Sequence, residues 1–168
     1  MKTLVTCALV LLLSASVAFA GEKKKEGISV SFSSDDSRTR LAPRHDVRDA
    51  RLSVTTRNRT AVLLLTGDVV AVQLSDATLA EVETKDDANF LEELIVSGVR
   101  LAVGKSVEYP IANIRSAEIR GGVLTLTNDQ GKPVFDEIKV NGTNVTRNIS
   151  AGDAARFVNA FRIAKARR

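Results

Sequence analysis

Residues 61–74 read AVLLLTGDVVAVQL. A continuous apolar run, 61–65, and a second run, 69–74, whose single polar residue is Gln73, flank a short connection that contains Gly67 and Asp68. Apolar runs of this length suit buried strands, and a Gly-Asp connection between them favours a tight turn. The stretch therefore predicts an antiparallel β-hairpin with its strands in the core.

Short strands are predicted on both sides of this hairpin. Upstream, residues 28–32 and 52–55 alternate apolar and polar side chains, as half-buried strands do. Downstream, turn-forming residues separate strands predicted near 99–103, 106–109, 117–120, 123–127, 134–140 and 145–148. Strands this short and this regularly spaced indicate a meander, a curled sheet or a small barrel.

The segments between these strands give weaker signals. Residues 33–49 are dense in Ser, Asp and Arg, and predict a polar surface loop with one short helix after Pro43. The stretch around Leu79 and Val82 fits either a strand or the start of a helix. Residues 86–95 carry apolar side chains at helical spacing and predict a helix that Asp86 or Asp87 caps.

The chain ends in a predicted helix. Ser150 and Asp153 resemble a capping box, with Asp in place of the usual Glu. An apolar stripe at i, i+3, i+4 and i+7 spacing follows, made by Phe157, Ala160, Phe161 and Ala164. Residues 28–168 therefore predict one α+β domain, mainly antiparallel β, with the C-terminal helix packed on the sheet.

The C-terminal half of the chain resembles a pleckstrin-homology-like (PH-like) domain. The resemblance rests on the order of elements: residues 109–114, a strand at 117–119, the Gly121-Gly122 turn, a strand at 123–127, and the terminal helix. It implies a bent antiparallel sheet capped by a helix. PH-like domains mostly bind lipid headgroups, peptides or proteins. Residues 128–132 offer one Lys to the usual basic pocket, so the resemblance carries no site residue over.

The first 20 residues have the three parts of a secretory signal peptide. Lys2 supplies the positive charge, residues 4–13 are nearly all apolar, and Ala18-Phe19-Ala20 precedes Gly21 as a small-x-small cleavage site. A membrane anchor is the alternative, but the apolar run is shorter than the about 20 residues that span a bilayer. Residues 21–27 then form a charged flexible leader, and we expect a soluble or peripheral mature chain in the periplasm or outside the cell.

The inventory of reactive side chains is small. The chain has one Cys, one His and no Trp, and Cys7 lies inside the predicted signal peptide. The mature chain is therefore expected to lack disulfides and thiol chemistry, and His45 alone cannot build a multi-histidine metal site. We read His45 as a solvated loop residue and the acids of residues 81–93 as a solvated face. No catalytic, cofactor-binding or metal-ligating residue is predicted.

Four Asn-x-Ser/Thr sequons begin at Asn58, Asn141, Asn144 and Asn148. In a eukaryotic secretory protein they would accept glycans, whereas in a bacterium they are turn and strand residues. The short predicted signal peptide and the absence of cysteine from the mature chain favour a bacterial origin.

The leading hypothesis from the sequence is an exported, non-enzymatic binding or assembly module of the cell envelope. Its contact surface would be an exposed strand edge or the basic helix end, formed by Arg162, Lys165, Arg167 and Arg168. The expected partner is another envelope or secreted protein, with anionic lipid as an alternative and nucleic acid excluded by export. An enzyme with a carboxylate or Ser/Lys site and a carrier of small apolar ligands are the competing hypotheses.

Overall fold

The computed structural model describes residues 30–31, 36–83 and 104–168. Its strands are β1 (Val30–Ser31), β2 (Arg40–Pro43), β3 (Leu52–Thr55), β4 (Ala61–Leu65), β5 (Val69–Leu74), β6 (Lys105–Pro110), β7 (Ile114–Arg120), β8 (Val123–Asn128), β9 (Pro133–Val134), β10 (Lys139–Val140) and β11 (Thr143–Asn144). Its α-helices are α1 (Asp76–Glu83) and α2 (Ala151–Ala166), and short 3-10 turns cover Val47–Asp49, Ile111–Asn113 and Thr146–Asn148.

The strands form three antiparallel sheets. One sheet has the order β2-β6-β5-β4-β3, the second has the order β7-β8-β9, and the third has the order β1-β10-β11. Helix α2 packs against β7, β8, β3 and β4. The prediction of an α+β fold with a C-terminal helix on antiparallel strands is confirmed. The sheets formed by the described residues are not closed into a barrel, so the small-barrel alternative is wrong.

The predicted hairpin forms β4 and β5, and both of its faces are buried. Leu63 pairs with Val72 and Leu65 with Val70, and these four side chains face the main core beneath α2. The alternate side chains point to the other face, because successive residues of a strand point to opposite sides. Burial on both faces explains why these strands read as continuous apolar runs rather than as alternating ones.

The segment between β2 and β3 covers the outer face of the five-stranded sheet. A second, smaller core lies there, formed by Val62, Leu64, Val69 and Ala71. Val47 and Ala50 pack against it from the loop. Asp46 caps the 3-10 turn by accepting a hydrogen bond from the backbone N–H of Arg48. The short helix predicted after Pro43 is thus a 3-10 turn that shields apolar side chains from water.

Helix α2 begins at the predicted cap. The Ser150 hydroxyl accepts a hydrogen bond from the backbone N–H of Asp153 and donates one to its carboxylate, at 2.7 Å. Phe157 and Phe161 are buried to 2% exposure or less, and Ala164 continues the buried stripe. The sequence predicted this helix correctly because the cap and the apolar period agree.

Several local predictions are wrong. Strand β2 lies within the predicted loop at 33–49, and where a strand was predicted at 145–148 the chain forms the 3-10 turn Thr146–Asn148. The single strand predicted at 134–140 is divided into β9 and β10, which belong to different sheets. Phe135, between them, has a φ of 65°, which no regular strand accommodates. Around Leu79, where the sequence left a strand and the start of a helix as alternatives, the chain is helical, so the second alternative is the correct one.

Other predictions fall wholly or partly outside the described residues. The helix predicted at 86–95 and the strand predicted at 99–103 lie outside the described residues. Of the strand predicted at 28–32, the described part is β1. The resemblance to PH-like domains stays a prediction.

A cluster of charged and polar side chains joins two of the sheets. We call it the Asp36 cluster; its members are Asp36, Arg38, Tyr109, Asn128 and Asp129. The Asp36 carboxylate accepts hydrogen bonds from Arg38 Nε and Nη2 at 2.7 Å each, from the Tyr109 hydroxyl at 2.7 Å and from Asn128 Nδ2 at 2.9 Å. Arg38 also pairs with Asp129 and lies 5.5 Å from the Tyr109 ring centre. The cluster thereby fastens the segment before β2 to both β6 and β8.

The electrostatics of the Asp36 cluster follow from these contacts. The hydrogen-bonded Arg38 guanidinium holds the pKa of the Asp36 carboxyl well below its usual range. Burial, reinforced by the bond to Asp36, raises the pKa of Tyr109 to about 12. Both groups therefore keep the protonation states that their hydrogen bonds require.

Candidate functional site

The structure separates the four basic residues that the sequence grouped at the helix end. Arg162 and Lys165 line a groove between α2 and β7. Arg168 instead bonds the Asp68 carboxylate at 2.5 Å and the Gly67 carbonyl at 2.6 Å, in the β4–β5 turn. Arg167 is an exposed residue at the C-cap of the helix. Two of the four predicted contact residues thus share one site, and Arg168 fixes the helix end to the hairpin.

The groove has a volume of about 400 Å³. We call it the α2–β7 groove; it is lined by Arg115, Ser116, Ala117, Glu118, Phe161, Arg162, Lys165 and Ala166. Side chains alternate between the faces of a strand, so a groove that contacts the four consecutive residues 115–118 runs along the strand edge. The helix forms the opposite wall.

Strand β7 is an edge strand of its sheet. It pairs with β8, and no described strand pairs with its other side. Lys165 Nζ donates a hydrogen bond across the groove to the Ile114 carbonyl. The register also shifts between Ile114 and Ser116, which marks a bulge. Lysines, bulges and neighbouring helices are ways in which proteins protect an edge from unwanted pairing, so the edge is guarded at its first residues.

The groove carries excess positive charge. Arg115, Arg162 and Lys165 form no ion pair with any residue of the described ranges. The single acid in the lining, Glu118, is paired with Arg120 at 3.0 Å. Arg115 could not be selected from the sequence, because its neighbours across the groove, Arg162 and Lys165, are about 50 positions away along the chain.

Glu118 is ionised and fixed in place. Hydrogen bonds from Ser116 and Arg120 lower the pKa of its carboxyl, and the positive charges of Arg120 and Arg162 act in the same direction. The groove therefore holds one permanent negative charge among three cations.

A second polar site surrounds His45. Its Nε2 lies 2.6 Å from Oε1 of Glu108, whose side chain is 4% exposed and also accepts a bond from Arg40 at 2.8 Å. The Gln73 side chain holds the His45 backbone through two hydrogen bonds of 3.0 Å. The interpretation of His45 as a solvated loop residue is therefore wrong, since a buried carboxylate and an amide fix it.

The sequence carries no clear signal for this contact, because residues 105–110 (KSVEYP) mix polar and apolar side chains as a half-exposed strand does. In the fold, however, residues 106–109 of β6 are all buried, Glu108 included. A buried charge requires a partner, and His45 and Arg40 supply it.

The depression beside His45 has no surplus charge. It has a volume of about 540 Å³ and is lined by Arg44, His45, Asp46, Val47, Arg48 and Asp76. Arg44 pairs with Asp76, and Arg48 pairs with Asp46 at 2.7 Å. The hydrogen bonds from Arg48 lower the pKa of Asp46 to about 2. In contrast to the α2–β7 groove, the cations here already have carboxylate partners.

The four sequons differ in accessibility. Asn58 and Asn141 are exposed in turns. Asn144 is buried and donates its amide to the Asp136 carbonyl, while its Oδ1 accepts bonds from Thr146 and Arg147. The Asn148 Nδ2 atom is buried and has no hydrogen-bond partner in the described part of the chain. The folded chain could thus carry glycans on Asn58 and Asn141 but not on the Asn144 or Asn148 amide nitrogens.

Two further findings concern the described residues as a whole. None of their helices has the length and apolar character needed to cross a bilayer. Nowhere do three or more of their His, Cys, Asp or Glu side chains gather in a way that could hold a metal ion.

Comparison with known proteins found no match to the chain among protein-family models, curated proteins or solved structures.

Proposed function

We propose that the chain is an exported, non-enzymatic binding or assembly module of the cell envelope, and that the α2–β7 groove is its contact surface. The observation that carries the proposal is the set of three cations in the groove, Arg115, Arg162 and Lys165, that have no ion-pair partner among the described residues. Outside the groove, Arg51, Arg57, Arg59 and Arg167 also have no carboxylate partner among the described residues, whereas the other eight described arginines each have one: Arg38, Arg40, Arg44, Arg48, Arg120, Arg147, Arg156 and Arg168.

The predicted export of the chain supports the same function. The predicted signal peptide, with cleavage between Ala20 and Gly21, would deliver the chain to the periplasm or the exterior. A small exported domain with few reactive side chains suits binding better than catalysis. N-terminal sequencing of the exported protein tests the route, and the expected first residue is Gly21.

A photocrosslinking experiment tests the contact surface. A photoreactive amino acid replaces Ala166, which lies on the groove wall, in the full-length gene expressed in its native host. Ala155 is the matched control, because it is exposed on the same helix but outside the groove. We expect a defined adduct from position 166 only, and its loss when Arg162→Ser is added. Equal adducts from both positions, or an adduct that survives Arg162→Ser, would contradict the proposal.

One observation favours a second candidate function. An imidazole held by a buried carboxylate is the arrangement of a general base and the group that orients it. The His45–Glu108 pair beside the 540 Å³ depression therefore supports the competing enzyme hypothesis. Hydrolysis of p-nitrophenyl acetate by the purified protein tests it: catalysis above background that His45→Asn abolishes would support this function, and equal rates in both proteins would reject it.

A further inference from the structure

This inference rests on the proposed function and concerns what the α2–β7 groove binds. Its walls are the edge of β7 and the side of α2 that carries Phe161, Arg162, Lys165 and Ala166. Four residues of a strand span roughly 10–13 Å at about 3.3 Å each. A trough of this length between a strand and a helix fits an extended polypeptide, whereas a flat membrane surface would contact only its rims.

The positive charges of the groove indicate which side chains that polypeptide should carry. Arg115 projects from the strand wall, and Arg162 and Lys165 from the helix wall. Guanidinium groups bind carboxylates through paired, charge-assisted hydrogen bonds. Lys165 uses one of its three N–H donors on the Ile114 carbonyl and keeps the others for a ligand. The complementary segment is therefore rich in Asp or Glu.

Glu118 adds a restriction. It stands in the same groove, ionised and held by Ser116 and Arg120. A ligand carboxylate placed beside Glu118 would be repelled, whereas a neutral or basic side chain there would not. Discrimination between partners commonly uses a repulsive element of this kind as well as attractive ones.

We propose that the α2–β7 groove binds an acidic, extended segment of a protein partner, and that Glu118 requires a non-acidic residue at the position facing it. Arg115 and Arg162 bind carboxylates of the same segment at other positions. Glu118 is thus a specificity-determining residue, and Arg115, Arg162 and Lys165 supply the affinity.

Fluorescent peptides test the attraction. The probes are labelled hexaglutamate and hexaglutamine, titrated by anisotropy against protein purified after expression with its own N-terminal segment. We expect hexaglutamate to bind, hexaglutamine not to bind, and Arg162→Ser to weaken hexaglutamate binding about tenfold, the effect of one charged hydrogen-bonded contact. Arg156→Ser is the matched control, because Arg156 lies on the same helix but already pairs with Asp153 at 3.2 Å. Equal loss in both variants would overturn the proposal.

A third peptide tests the role of Glu118. It is hexaglutamate with one Lys at an internal position, and a set of such peptides scans that position. We expect one member of the set to bind the native protein more tightly than hexaglutamate does. Glu118→Gln should remove that preference and strengthen hexaglutamate binding, in the manner of a double-mutant cycle. If Glu118→Gln leaves both affinities unchanged, Glu118 does not set specificity.

Lipid vesicles test the remaining alternative, in which the groove binds an anionic membrane instead of an acidic segment. Vesicles of phosphatidylcholine with phosphatidylserine are titrated in place of the peptides. Vesicle binding that Arg162→Ser weakens, with no peptide binding, would replace the acidic segment by an anionic membrane. Failure of both probes, while the Ala166 crosslink still forms, would reject the acidic-segment inference but leave the binding module intact. Loss of that crosslink as well would reject the proposed function itself.

Discussion

The Asp36 cluster and the α2–β7 groove both contain arginines beside the same three-stranded sheet, yet their surroundings differ. In the cluster, Arg38 contacts two carboxylates and an aromatic ring, and its side chain is 20% exposed. In the groove, Arg115 and Arg162 are exposed and have no carboxylate partner in the described chain. The difference separates charge used to hold the fold from charge available to a ligand, and it can be tested by altering each region.

The largest effect is expected from removing the anion of the cluster. Asp36→Ala deletes the carboxylate that joins Arg38, Tyr109 and Asn128. Because it leaves several polar groups without partners, we expect the free energy of unfolding to fall by about 2–4 kcal/mol. Urea denaturation measures the loss. A loss below about 0.5 kcal/mol would show that the cluster does not hold the sheets together.

Lowering the pH should remove part of the stabilisation that the Asp36 carboxylate provides. The pKa of Asp36 is lowered in the folded state, so the folded chain binds fewer protons at this site than the unfolded chain does. Its stabilising contribution is complete well above the unfolded-state pKa of about 3.9 and declines as the pH falls through and below that value. Urea midpoints measured from pH 7 to pH 2.5 should therefore fall more steeply for the native chain than for Asp36→Asn. Parallel curves would contradict this assignment.

A spectroscopic effect of the cluster should be smaller but specific. Tyr109 is the single tyrosine of the chain, so its ultraviolet titration reports one site. We expect ionisation near pH 12 in the native chain, because the pKa of Tyr109 is raised to about 12 by burial and by its bond to Asp36. Asp36→Asn should lower that pKa, since the negative acceptor is lost. An unchanged titration would place Tyr109 outside the influence of Asp36.

The smallest effect on stability is expected in the groove. Arg162→Ser removes an exposed cation without an ion-pair partner in the described ranges, so the free energy of unfolding should change by less than about 0.5 kcal/mol. The same variant should still weaken peptide binding. If denaturation instead shows a loss comparable with that of Asp36→Ala, the groove is a structural element and the contrast between the two regions disappears.

The parts of the fold that could be predicted from the sequence are those whose neighbours in space are neighbours in the chain. The β4–β5 hairpin and the α2 cap were assigned correctly from apolar runs and from Ser150. Strand β2 could not be found, because three of its four residues are exposed and an exposed edge strand needs no apolar alternation.

The sites depend on contacts between residues far apart in the chain, and for this reason only part of each site could be predicted from the sequence. Asp36 and Asn128 are 92 positions apart, and His45 and Glu108 are 63 apart. Arg162 and Lys165 could be proposed as contact residues because they belong to the basic end of a predicted helix. Arg115 joins them only because α2 packs against β7, which depends on the tertiary fold.

The burial of both faces of the β4–β5 hairpin has a consequence for how this sequence can vary. In a sheet with one wet face, every second position accepts polar replacements. In this hairpin neither set of alternate positions is exposed to solvent, because α2 covers one face and the loop around Val47 covers the other. A saturation mutagenesis map should therefore show two unbroken blocks of intolerance at 61–65 and 69–74, separated by a permissive turn at Gly67 and Asp68. As this gene diverges, substitutions should therefore accumulate outside β4 and β5, and the sequence of the hairpin should change least.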